Sequence, residues 1–159
     1  MDALGLRERK TANWTAGLAG VSAGRWFVSP ALEGWVLVIG AGDRQVPWER
    51  FTALSRRFRE AQVFGADREK AVYLWARAEN GACTRAYGIS RGQVVLDRGE
   101  LTAEEIALGF GRVPRKNAAA REGFPDGDAV LDIAAAWSVD PMLEDGPWAP
   151  GLGWLCAAD

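Results

Sequence analysis

Histidine is absent from this chain of 159 residues. That absence removes the usual general base near neutral pH, the Ser/His/Asp and Cys/His arrangements, and the common zinc ligand sets. A hydrolase built on this sequence would have to work with carboxylates, lysine or tyrosine. Cysteine is scarce, with only Cys83 and Cys156 far apart in the chain. No disulfide framework can be read from two thiols, and we expect both to be reduced and the chain to be cytoplasmic. Excess charge of either sign is missing too, since 19 basic and 21 acidic residues leave a net charge of −2. Neither nucleic acid nor an anionic membrane is therefore an expected partner. The opening residues, MDALGLRERK, carry no apolar signal core, and no apolar run reaches the length of a membrane span.

What is present is a hydrophobic fraction of 48% and eight tryptophans, spread from Trp14 to Trp154. This is enough for one domain with a packed core, most indoles contributing to it and one or two available for an interface. We expect an α+β single domain over residues 1–159. A central antiparallel sheet of about six strands would carry flanking helices, and the molecule would be a monomer or weak dimer. The order helix, two strands, helix, four strands, two helices favours this class over a βαβ repeat.

The strongest local pattern is a double hairpin. Asn80-Gly81 and Arg91-Gly92 are type I′ turn signals. Centred on them, the expected register sets Ala76 opposite Arg85, Leu74 opposite Tyr87 and Val72 opposite Ile89. That puts Val72, Leu74, Tyr87, Ile89, Val94 and Leu96 on one face and Tyr73, Trp75, Ala86 and Gly88 on the other. Arg85 is then anomalous on the apolar face. It must pair with a carboxylate, reach the sheet rim, or bind an anion or partner beside Trp75 and Tyr87.

Other elements follow in order. Residues 1–12 are expected to fray. Asn13 can cap a helix over 14–18 that stops at Gly20. Arg25–Ser29 reads as a strand ended by Pro30. A tight turn at Ala31–Gly34 leads into Trp35–Ile39, whose unbroken apolar run predicts a central strand buried on both faces. Trp48, Phe51, Leu54 and Phe58 form the buried stripe of a helix with Arg56, Arg57 and Arg59 at its end. A short strand over 61–65 follows. Thr102-Ala103-Glu104-Glu105 is a capping box, residues 113–127 read as a loop, and Asp128 is taken as the cap of a last helix. Residues 146–159 read as an irregular tail.

Two groups approach the pattern of a cofactor or metal site. Gly40-Ala41-Gly42 follows a strand, but Gln45 stands where a dinucleotide loop needs its third glycine, so it reads as a turn and no cofactor is expected. Asp126, Asp128 and Asp132 approach metal-ligand spacing without fitting a calcium loop, so no metal is assigned. No catalytic residue emerges. The candidate binding residues are Tyr73, Trp75, Arg85 and Tyr87, with Asp126, Asp128, Asp140 and Glu144 as an acidic set suited to a basic partner face.

The segments GWVLVIG, LSRRFREAQVFGADR, VYLWARAENGACTRAYGIS, GELTAEEIALGF and AAAWSVDP, from about Trp35 to Pro141, resemble those of an uncharacterised family of small bacterial cytosolic proteins. One departure is Arg59, where the pattern has glycine in a helix–strand connection. In size and setting that family is similar to immunity proteins, which neutralise toxins exchanged between bacteria. The resemblance implies a non-enzymatic protein-binding module that blocks a toxin by occlusion. A small-molecule pocket or enzyme site near Arg85 and Trp75, or a structural part of a bacterial assembly, are the alternatives.

Overall fold

A computed structural model describes residues 4–40, 47–110, 125–143 and 151–158. The fold is α+β. Among the described residues there are eight strands, in two antiparallel four-stranded sheets, and four helices. The six-strand sheet expected from sequence is thus replaced by two smaller ones. Contacts group the chain into two compact units, Met1–Arg50 with Leu143–Asp159, and Phe51–Met142.

The first unit holds a sheet in the order β1-β8-β2-β3, built from β1 (Leu6–Ala12), β2 (Trp26–Leu32), β3 (Trp35–Ile39) and β8 (Gly153–Ala158). Strands β1 and β8, drawn from opposite ends of the sequence, pair with each other. Neither the fraying expected at the start nor the irregular tail expected at the end holds for these strands. Local sequence could not show this, because each strand gains its ladder from a partner more than a hundred residues away. Helix α1 (Trp14–Ser22) starts where Asn13 accepts the Ala16 amide proton, and it runs past Gly20 to Ser22. It covers one face of the sheet, where Trp14 meets Phe27 edge-on at 5.4 Å between ring centroids. Gly17 permits this approach, since a Cβ there would lie 2.4 Å from the Phe27 ring.

Strand β2 also continues through Pro30. The ladder slips between Val28 and Ala31, and the Ser29 hydroxyl accepts the Leu37 amide proton at 2.9 Å in place of a backbone partner. A bulge is one of the few places a sheet tolerates a residue without N–H. Strand β3 lies at the edge of the sheet, and its burial alternates. The apolar run was read as doubly buried, but Val36 is 54% exposed. A continuous apolar run cannot by itself distinguish a buried strand from an edge strand that shows one face to solvent.

Helix α2 (Trp48–Phe58) carries the chain onward, entered through Pro47. Its buried positions are Phe51 and Ser55, whereas Phe58, expected in the stripe, is 62% exposed. Strands β4 (Glu60–Asp67), β5 (Val72–Glu79), β6 (Ala82–Ser90) and β7 (Gln93–Arg98) then form an antiparallel meander. Both I′ turns are present: Asn80 and Gly81 have φ of 50° and 90°, Arg91 and Gly92 of 51° and 74°.

The expected register is displaced. Glu79 faces Ala82 and Ala78 faces Cys83, but Arg77 faces Arg85, so Thr84 is a bulged extra residue. From there Trp75 faces Tyr87 and Leu74 faces Gly88, a slip of one position. A second irregularity puts Tyr87 opposite Asp97. A slip of one exchanges the faces, so Trp75, Tyr87, Arg85 and Tyr73 share a side with Phe64 of β4. The small residues Ala76, Ala86 and Gly88 are buried on the other.

Helix α3 (Ala103–Ala107) begins at the capping box, with both reciprocal hydrogen bonds formed. Helix α4 (Gly127–Trp137) lies over β4 and β5, and its Val130, Ile133 and Trp137 pack on Trp75. Its cap is Asp126, which accepts the amide protons of Asp128 and Ala129. The expected cap, Asp128, sits two residues further on in the first turn and pairs with Arg68 at 2.9 Å.

Candidate functional site

The register slip gathers four of the expected residues on the α4-covered face of the second sheet. Trp75 is fully buried between Tyr87, at 4.9 Å between ring centroids, and Phe110, at 5.3 Å. Tyr73 packs at the margin of the same cluster. Arg85, only 2% exposed, holds its guanidinium 5.4 Å from the Tyr87 ring centroid. A charge this deep needs partners, and two carboxylates supply them. Arg85 Nε donates to both oxygens of Glu105 at 2.8 Å, and Nη1 donates to Asp97 Oδ1 at 2.8 Å. The same Nη1 reaches the carbonyl oxygens of Arg98 at 3.1 Å and Gly99 at 3.4 Å.

Gly99 makes the last contact possible. Its φ is +81°, and a Cβ there would lie 2.0 Å from the Thr84 carbonyl oxygen.

Glu105 is the centre of this network. It is 0% exposed. Besides Arg85, it accepts the Trp75 indole proton at 2.7 Å and the Thr102 amide proton at 2.8 Å. Thr102 in turn caps α3 and accepts the Trp137 indole proton at 3.2 Å. One carboxylate thus caps a helix, neutralises an arginine and orients an indole. Burial works against the charge on Arg85, but the hydrogen bonds and charges of Glu105 and Asp97 outweigh it and hold the guanidinium above its ordinary pKa.

The Nε and Nη1 hydrogens of Arg85 are already directed at carboxylates and carbonyls, so an anion approaching those two nitrogens would have to displace Glu105 or Asp97. Cys83, beside it on β6, is also unsuited to nucleophilic work, since burial pushes its thiol up despite the nearby Arg98 and Arg85.

Nothing matches this chain among protein-family models, curated proteins or solved structures.

The acidic set is not brought together. Asp126 precedes α4 and Asp140 follows it, where it accepts the Met142 amide proton. An eleven-residue helix separates the two by roughly 16 Å. Glu144 lies outside the described residues. Among the described residues no three cysteine or acidic side chains are placed to hold one metal ion, and no helix is long and apolar enough to cross a membrane.

Two features escaped the sequence reading. Glu105 was assigned only its capping role, although a capping-box carboxylate is by definition fixed in place and available to a second partner. The other is Trp154, placed in a tail but 39% exposed on β8. It faces Val28, which faces Val38 across β2 and β3. Val36 and Val38 are exposed on the same side of β3.

Proposed function

We propose that the protein is a non-enzymatic protein-binding module of the immunity or antitoxin type, cytoplasmic and bacterial, which blocks a toxin by covering its active site. The observation that carries this reading is the set of exposed apolar side chains Val36 and Val38 on β3 and Trp154 on β8, on either side of the buried Val28. It continues from the buried cluster of Leu6, Val28 and Cys156 on the same sheet. A partly exposed tryptophan on a rigid sheet, with aliphatic neighbours, has the character of an interface anchor. Exposed carboxylates at Asp126, Asp128 and Asp140 would add attraction for a basic partner. The resemblance of the motif segments to a family of small bacterial proteins supports the same reading. Against the alternative of an anion-binding pocket at Arg85 stands the commitment of Nε and Nη1 to Glu105 and Asp97.

The test is co-expression with the protein encoded by the adjacent gene. Cells carrying that protein should survive only with this chain, and Trp154→Asp should weaken the purified complex by roughly 30-fold or more, as expected for a central aromatic anchor. Absence of protection by the intact chain would sink the reading.

A further inference from the structure

The last turn of α2 presents an unusual combination. Arg56, Arg57, Phe58 and Arg59 are consecutive and all exposed. Phe58 shows 62% of its surface, and the Arg57 guanidinium stands over its ring, 5.5 Å from the centroid. The group is held firmly. The Ser55 hydroxyl accepts the Gly81 amide proton at 2.9 Å, and the Arg59 carbonyl accepts that of Asn80 at 2.8 Å. Arg56 lies against the same turn, its Nε 2.8 Å from where a Gly81 Cβ would stand.

Two observations set this patch apart from an ordinary solvated helix end. First, its charge is not neutralised. Glu60, the next residue, and its cross-strand partner Glu79 are within 2.7 Å and 3.1 Å of Arg77 Nε, and among the described residues Arg56, Arg57 and Arg59 form no ion pair. Second, Arg59 has φ of +76°, a left-handed conformation that favours glycine. A cationic side chain stands where glycine would be more comfortable, and among the described residues its guanidinium has no ion pair.

We infer that this turn is a docking site for an acidic peptide segment, carrying at least one apolar side chain, on the partner protein. The three guanidiniums recognise carboxylates and Phe58 receives the apolar residue. This deepens the protein-binding reading and rests on it. An acidic segment fits better than nucleic acid. Three cations fall short of the roughly six to ten phosphate contacts that give a polyanion its affinity, and the chain as a whole carries net charge −2.

The probe is a short fluorescein-labelled peptide of glutamate, aspartate and leucine, titrated with the intact protein at low salt and followed by anisotropy. Saturable binding is expected, weakened about tenfold by Phe58→Ala and roughly twofold to fivefold by Arg57→Gln. Arg59→Gly gives the sharpest outcome. It should raise the melting temperature and weaken peptide binding together, a split that a merely structural residue would not produce. Unchanged affinity in Arg59→Gly and Phe58→Ala would overturn the inference, as would tighter binding of a single-stranded oligonucleotide than of the peptide. The two readings fail separately. Peptide binding without protection against the adjacent gene product would remove only the immunity role. Protection that survives in Phe58→Ala with full affinity for that product would remove only this site.

Discussion

Arg85 and Glu105 show how one pair of side chains can decide the use of a whole face. Each is nearly inaccessible, and each satisfies the other at 2.8 Å. Removing one member leaves a charge buried without its counterion, at a cost of about 3–5 kcal/mol. Removing both with apolar replacements of similar volume costs far less, because the desolvation penalty disappears with the charges. We therefore expect Arg85→Met and Glu105→Leu each to destabilise strongly, and the double variant to recover much of the loss, in urea unfolding followed by tryptophan fluorescence. Additive losses would show that Asp97 and the carbonyls of Arg98 and Gly99, rather than Glu105, carry the guanidinium. The presence of an embedded arginine was legible from its position between apolar residues. Its counterion was not, because the choice between Asp97 and Glu105 depends on how α3 folds back onto the sheet.

Among the elements, the double hairpin is the clearest case of partial legibility. Its turns were visible in Asn80-Gly81 and Arg91-Gly92, because positive φ at two consecutive positions restricts the residues that fit. Its faces were not, because the bulge at Thr84 has no sequence signature and reverses every side chain beyond it. Helix α4 teaches a similar lesson about neighbouring caps. Asp126 and Asp128 are equivalent in chemistry, and the structure selects Asp126 through two amide contacts at 3.0 and 3.1 Å. Asp126→Ala should cost about 1 kcal/mol of stability. Asp128→Ala, which removes only an exposed ion pair with Arg68, should change it by a few tenths of a kcal/mol at most. Thermal melts of the two variants distinguish them, and equal losses would return the capping role to Asp128.

At the scale of the molecule, the sign of the pH response follows from the groups that the fold perturbs. The Lys70 amide holds the Asp67 carboxyl below its ordinary value against the opposing effect of desolvation, with the Lys70 ammonium adding to the lowering. A carboxylate whose pKa is depressed by folding contributes stability above its unfolded pKa and loses it as pH falls through the folded value. The stability margin of the natural chain over Asp67→Ala should thus be constant near neutrality and shrink on acidification below the ordinary carboxylate range. A margin independent of pH would contradict the hydrogen bond. Arg85 behaves oppositely in sign. Its raised pKa contributes stability at every pH below the ordinary arginine range, so its share is lost only in strong alkali.

The sequence by itself determined the α+β class, the hairpin turns, the capping box, the start of α1 and the exclusion of histidine chemistry. All of these depend on residues within a few positions of one another, where φ preferences and local hydrogen bonds decide. Tertiary structure alone decided that Leu6–Ala12 and Gly153–Ala158 are paired strands and that Trp35–Ile39 lies at an edge. It also decided that Trp75 is enclosed while Trp154 is shown to solvent, and that Arg85 is neutralised by Glu105. Those outcomes depend on pairing between distant segments and on bulges that shift register by one residue. No local propensity carries that information.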